Sequence, residues 1–258
     1  MAGRAGAPLR GTVVAREELS PHLVRLVVGG LDGFESTGVP DEWVALTVPG
    51  QFQTRYYTVR SWAGGELTLD VVVHDEGLVT GWAQTECVGD EVGIGPAKGS
   101  YAEPRGARWV VLVGDLTALP AIARIAETTT LPVTAQVESP DGPLPDYLAA
   151  GSATVTWLDP PADAQSRLAE VVRGLSWPEG PGYFWMAGES AQMRDIRKYL
   201  RRDLGWDSRS HDVMGYWSGA RGRQARAVDP GPIYRQGKAM GKSDEEIWAD
   251  YDRARGGA

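Results

Sequence analysis

Residues 54–60 read TRYYTVR, so Arg55, Tyr56, Tyr57 and Thr58 set a fixed cation, two aromatic rings and a small hydroxyl side by side. On a strand, Arg55 and Tyr57 share a face, and Thr58 can meet a ring edge through its backbone and hydroxyl. A guanidinium grips phosphate with paired hydrogen bonds. An aromatic side chain offers its face to a flat heterocycle. Those contacts, with a donor near a reactive ring nitrogen, are what a flavin nucleotide asks of a protein. Taken alone, the tetrapeptide also suits an ordinary half-exposed strand, where Tyr and Thr are favoured and arginine keeps the outer face wet.

The elements around the tetrapeptide can be read from hydrophobic period. From Gly11 to about Gly106 the chain alternates short runs rich in Val, Thr and aromatics (GTVVAREEL, LVRLVVGG, WVALTVPG, RYYTVRSW, ELTLDVVVH, DEVGIG) with Gly, Pro and Asp punctuation. That rhythm predicts an antiparallel barrel or sandwich. One segment, DEGLVTGWAQTEC, is too long for a hairpin turn and predicts a short helix. After Arg108 strands alternate with helices: WVVLVGD, LTALPAIARIAETT, VTAQVES, TVTWLDP, AQSRLAEVVRGL, GYFWMAG, ESAQMRDIRKYLRRDLG and HDVMGYWS. This is the pattern of a parallel α/β sheet. The expected division is residues 1–106 as a β-barrel, 107–219 as an α/β domain and 220–258 as a C-terminal loop and helix. For that helix Ser243 and Glu246 form a capping-box pair, and Trp248 and Tyr251 are available to dock.

Composition narrows the function classes. The 258 residues carry 26 Lys and Arg against 34 Asp and Glu, a net charge of −8. No broad basic field exists to collect nucleic acid, and none is expected as a partner. No apolar run reaches the ~20 residues of a membrane helix. The opening MAGRAGAPLRGTVVAREEL lacks the apolar core of a secretion signal, so the expected location is the cytoplasm, without membrane insertion. Cys87 is the one cysteine, which excludes an iron–sulfur cluster held by four thiolates of this chain. The three histidines, His22, His74 and His211, show no metal-ligand spacing, and no metal site is expected.

A barrel followed by a nucleotide-type α/β domain is one arrangement of flavin reductases, although fold alone does not give function. Five ordered segments carry a more specific resemblance: RYYT, HDEGLVTGWA from His74, GDLTALPAIARI from Gly114, MAGES from Met186, and GYW at the end of the last strand. Together they resemble the siderophore-interacting protein family, the FAD-binding ferric-siderophore reductases of the ferredoxin reductase-like superfamily, over nearly the whole chain.

The resemblance implies an FAD-binding barrel, with Arg55, Tyr56, Tyr57 and Thr58 at the flavin and Tyr57 and Thr58 forming the ring environment, with no acid/base dyad. Val73 and His74 lie near the flavin edge, although a lone histidine at a strand end is as readily a structural hydrogen-bonding residue. Gly77, Val79, Thr80 and Trp82 match the stretch that receives the flavin pyrophosphate at a helix start. Leu78 and Val79 are larger than the residues usual there. Asp115, Thr117 and Ala118, then Gly188 and Glu189, fall at strand ends where a parallel sheet accepts a dinucleotide. Leu116 stands where the family has an acid. The arginines after MAGES read first as a solvated helix face. Trp217 is assigned to the flavin or nicotinamide border.

The implied reaction is FAD-dependent reduction of a ferric siderophore, releasing ferrous iron. NADH, NADPH or a ferredoxin is the electron donor, and the protein is a monomer. Many ferric siderophores are anionic, so Arg60, Lys98, Arg221 and Arg223 are the substrate candidates by location. Two alternatives stay open: a flavin or quinone reductase on the same scaffold, and a non-catalytic FAD- or siderophore-binding protein.

Overall fold

The computed structural model describes residues 8–50, 54–74, 78–148, 153–159 and 166–218, and the positions 233, 236–237, 240–242, 246–247, 249–250 and 253. In chain order the first half forms β1 (Leu9–Ser20), β2 (Leu23–Gly29), β3 (Trp43–Thr47), β4 (Arg55–Ala63), β5 (Glu66–Val72), α1 (Leu78–Ala83) and β6 (Glu91–Ile94). These six strands close into a barrel in the order β1-β2-β5-β4-β3-β6, antiparallel throughout. Inward positions carry Val13, Leu26, Val44, Leu46, Val59 and Leu69, all buried in one apolar interior. The period-two pattern of the sequence places them there, because alternate residues of a strand face opposite sides.

The second half forms β7 (Val110–Asp115), α2 (Leu119–Thr128), β8 (Val133–Glu138), β9 (Ala153–Leu158), α3 (Leu168–Arg173), β10 (Tyr183–Glu189), α4 (Ser190–Arg202) and β11 (His211–Trp217). The strands make a parallel sheet in the order β11-β10-β7-β8-β9. All six residues of β7 are buried, as a central strand covered on both faces requires. α2 carries Pro120 in its first turn, where the missing N–H has no intrahelical partner to lose. Its apolar stripe covers one face of the sheet, and Leu23 of the barrel joins that core. α3 and α4 cover the other face through Leu168, Val172, Met193, Ile196 and Leu200.

Barrel and sheet belong to one compact unit, residues 1–217, while residues 218–258 form a second. Within the second, Ile247 is buried and packs where a Gly237 side chain would stand, and Asp250 accepts from Lys242 at 2.6 Å and from Arg253. Helical backbone occurs at residues 246–247 and 249–250. The capping serine, Ser243, and the aromatic pair Trp248 and Tyr251 lie outside the described residues. No helix among the described residues is long and apolar enough to cross a membrane.

Polar clamps hold the barrel to the sheet. Asp70 of β5 accepts two bonds of 2.8 Å from Arg25 and one from Tyr147. Arg124 of α2 reaches the Val59 carbonyl at 2.7 Å and pairs with the fully buried Glu42 at 3.2 Å. Asp41, equally buried, accepts from Ser100, Tyr101 and the Trp185 indole of β10.

At the far end of the seam Asp141 accepts from the Ser20 hydroxyl and from the backbone of His22, and pairs with the His22 ring at 2.5 Å. Burial pushes the Asp141 carboxyl up, but the bonds from Ser20 and His22 outweigh it and hold the group below the ordinary aspartate range. A depressed pKa contributes stability above the unfolded value and loses it as pH falls through the folded one. Stability should therefore fall on acidification below about pH 4, where a free aspartate titrates. Asp141→Asn is expected to lower the melting temperature at neutral pH and to flatten its decline in acid. Parallel profiles for the two proteins would remove Asp141 from the account.

Candidate functional site

The RYYT tetrapeptide opens β4, which pairs with β3 so that Leu46 faces Arg55, Val44 faces Tyr57 and Trp43 faces Thr58. Alternation then divides its side chains. Tyr57 turns toward the barrel interior and packs against its core, and burial pushes its phenol up to about 12. Arg55, two residues before it, stands exposed at the strand's beginning. Tyr56 is 64% exposed, the most open aromatic ring of the motif. Thr58 is buried where β11 approaches the barrel, within reach of the Tyr216 hydroxyl.

That approach leaves an unfinished contact. The Tyr216 hydroxyl and the Thr58 side chain do not meet hydrogen-bond geometry, so the phenol is a buried polar atom without a partner among the described residues. Burial, with the neighbouring Asp41 carboxylate behind it, drives its pKa upward and keeps it neutral. Buried hydroxyls without partners are uncommon in folded proteins and mark places where another group completes the bond.

The second half contributes the carboxyl ends of β7 and β10, between which the strand order reverses. Open α/β sheets take their ligands at such a switch point. Asp115 ends β7. Its Oδ1 accepts from the Thr117 backbone at 2.9 Å and hydroxyl at 2.5 Å, and its Oδ2 from the Trp217 indole at 2.7 Å. Because β11, β10 and β7 are successive strands, the Trp217 bond crosses the end of β10. There Gly188 has φ 155°, and a Cβ would come within 2.8 Å of Asp115 Oδ2. Only glycine leaves room for that crossing. Burial raises the Asp115 carboxyl above its ordinary range against the bonds from Thr117 and Trp217. Beside it Glu138 ends β8 and is raised by burial, then by the charges of Asp115 and Glu189 acting against a bond from the Arg167 backbone. Glu138 was not singled out in the sequence. One acid at a strand end has no periodic signature, and only the Asp115–Glu138 pairing of parallel strands makes it part of the crevice.

The remaining candidates divide. Val73 is buried at the end of the β5 segment, with its N–H bonded to the His22 carbonyl at 2.9 Å, and His74 beside it is exposed. Val79 and Thr80 are buried in α1. Trp82 packs on the barrel core and donates its indole N–H to Asp90 at 2.8 Å, so its polar edge serves the fold. Gly77 lies outside the described residues. Ala118 immediately precedes α2, and Leu116 is buried in the core under that helix.

Among the substrate candidates, Lys98 is exposed and its backbone bridges Trp43. Arg60 has a different employment from the one expected. A register irregularity between Val59 and Ser61 turns it into the barrel–sheet seam, where its guanidinium pairs with Glu127 at 2.5 Å and lies over the Tyr147 ring. With 17% of its side chain exposed, it is a clamp rather than a free cation at a mouth. Arg221 and Arg223 lie outside the described residues.

Two family models match this chain: "Siderophore-interacting FAD-binding domain" over residues 50–101, which holds the RYYT strand, and "Siderophore-interacting protein" over 107–220, which holds the sheet. An uncharacterised protein of Mycobacterium tuberculosis is 30% identical over 83% of this chain and 91% of its own length. The NADPH-dependent ferric-chelate reductase of Escherichia coli is 26% identical over 80% of this chain and 91% of its own. The crystal structure of a siderophore utilization protein from T. fusca superposes with a TM-score of 0.73 at 28% identity, covering 86% of this chain and 95% of that one. A chain with an open aromatic strand on a barrel, a parallel sheet with a switch point between β7 and β10 and both family models in order belongs to the siderophore-interacting protein family.

Proposed function

We propose that this protein is an FAD-dependent reductase of ferric siderophores that takes its electrons from NADH or NADPH. The observation that carries the reading is the packing of the RYYT strand β4 against α2, the helix that follows the β7 end, through Arg124 on the Val59 carbonyl and Arg60 on Glu127. Arg55 would hold the FAD pyrophosphate, the Tyr56 and Tyr57 rings would border the flat ring system, and Thr58 would meet its edge. The unpartnered Tyr216 hydroxyl and the open Tyr56 ring fit a polar-edged aromatic group. The Gly188 end of β10 would admit the nicotinamide nucleotide once the Trp217 indole moves from Asp115. The FAD-binding name of the family model and the relative named a ferric-chelate reductase support the same reading.

When held by these residues, FAD would supply two-electron acceptance and one-electron release, the chemistry that joins a two-electron donor to one-electron ferric iron. The protein's part is to orient donor and acceptor on that group and to keep water from the contact. Thr58, buried between barrel and β11, and Tyr57, packed on the barrel core, are rigid enough to do so. Hard oxygen ligands such as catecholate and hydroxamate hold ferric iron far better than ferrous, so reduction loosens the metal. Lys98 is the described exposed cation that would face an anionic chelate. The engagement of Arg60 with Glu127 makes the mouth less basic, which favours a flavin or quinone reductase as the second reading.

An anaerobic absorbance titration of the FAD-loaded protein separates these readings. NADH or NADPH is expected to bleach the flavin, and a ferric siderophore to restore its colour with one trapped ferrous ion per electron. Bleaching followed by recovery with quinone but not with the chelate would replace the proposal by the second reading. Flavin left oxidised by both nicotinamides would remove them as donors.

A further inference from the structure

The carboxyl edge of the sheet is lined with acids. Asp115 closes β7, Glu138 closes β8 and Glu189 closes β10, while Asp159 directly follows β9. The strand order reverses between β7 and β10, so a dinucleotide laid across that point spreads to both sides of it. With its nicotinamide at the Gly188 end of β10, its adenosine extends over β8 and β9. Glu138 and Asp159 stand on that half. The register sets them side by side, since Glu138 pairs with Leu158, the residue before Asp159. Asp115, one strand nearer the switch point, is already occupied by Thr117 and Trp217.

Glu138 is 9% exposed. Its Oε2 accepts the Arg167 backbone N–H at 3.1 Å, and among the described residues no hydrogen bond reaches its Oε1. That oxygen is an acceptor open to a ligand hydroxyl, and a charge so nearly covered is poorly screened by salt. Asp159 is exposed and adds a second negative charge beside it. An adenosine ribose meets such a pair in one of two ways. A free 2′-hydroxyl donates a hydrogen bond to the carboxylate, whereas a 2′-phosphate brings only acceptors and more negative charge. In dinucleotide-binding folds an acid roughly 20 residues beyond the first strand-to-helix turn holds the free hydroxyl, and a nearby arginine takes the phosphate. Glu138 has that place, at the end of the β8 strand that completes β7–α2–β8. Arg167 is exposed next to it, one cation against the two carboxylates.

We propose that Glu138 and Asp159 make this protein select NADH over NADPH: Glu138 accepts the adenosine 2′-hydroxyl, and both carboxylates repel a 2′-phosphate. The inference rests on the reading that the strand ends take a nicotinamide nucleotide, and it names which one. Selection of this kind comes from the rejected competitor as much as from the bond made.

The test is the affinity of the FAD-loaded full-length protein for NAD⁺ and for NADP⁺, measured by isothermal titration calorimetry, with FAD content checked by absorbance. The wild type is expected to bind NAD⁺ at least about tenfold more tightly than NADP⁺, the scale on which like charges set together discriminate. Glu138→Gln keeps an acceptor oxygen for the Arg167 N–H, and Asp159→Asn keeps the volume. Each should narrow the ratio, Glu138→Gln the more, and the double variant should largely abolish it through tighter NADP⁺ binding. Equal affinities in the wild type, or a preference that the double variant leaves intact, would overturn the selectivity while the nicotinamide site stands. Tighter binding of NADP⁺, lost in Arg167→Ala, would assign the phosphate to Arg167 and overturn it likewise. Binding of neither nucleotide would overturn the nicotinamide reading and the selectivity with it.

Discussion

Asp70→Ala is expected to remove about 3 to 5 kcal/mol of stability, the usual consequence of breaking a buried ion pair from one side. Asp70 is fully covered, accepts a two-pronged bond from Arg25 and takes the Tyr147 hydroxyl as well. Without it, the Arg25 and Tyr147 groups lose their common acceptor, and Arg60 over the same ring loses a favourable neighbour. Arg25 retains 29% of its side-chain exposure, so water can recover part of its solvation and the lower end of the range is the expectation. Denaturant unfolding with the slope compared between variants measures the loss. Asp70→Asn, which keeps one acceptor oxygen and the volume, should lose less. A loss under about 1 kcal/mol, the scale of an exposed pair, would mean that the clamp carries little of the seam.

Arg55→Ala is expected to weaken FAD retention by about 1.5 to 3 kcal/mol, the range for a hydrogen bond to a charged group. That corresponds to roughly a 10- to 150-fold rise in the dissociation constant. Arg55 is exposed at the start of β4 and lies outside the barrel core, so its truncation should leave the FAD-free protein folded, with an unchanged folded spectrum. Arg55→Lys should fall between the two, because an ammonium cannot make the paired contact of a guanidinium. Equilibrium dialysis followed by flavin fluorescence in the retained protein provides the measurement. Equal FAD affinity in wild type and Arg55→Ala would withdraw Arg55 from the phosphate site and with it the reading of the whole tetrapeptide.

The secondary structure was largely legible because both halves use strong, opposite periods. The alternation in LVRLVVGG and ELTLDVVV could bury a single face, which a closed barrel supplies, and the unbroken apolar run VVLV could sit only in a strand covered on both sides. The RYYT strand and the GDLT and MAGES strand ends were legible for the same reason, since strand positions and small residues at strand ends are local features. The expectation for Arg60 did not survive. A bulge after Val59 turned its side chain into the seam, and nothing in TVRSW announces a bulge.

The sequence by itself determined the barrel, the parallel sheet, their order and the strand that opens the candidate site, because hydrophobic period and turn chemistry act over a few residues. Only the tertiary structure decided which polar groups meet. Asp41 and Trp185 are 144 residues apart, and Asp115 and Trp217 are 102 apart. Such contacts are set by how two sheets pack, and a buried carboxylate has no period to give its partner away.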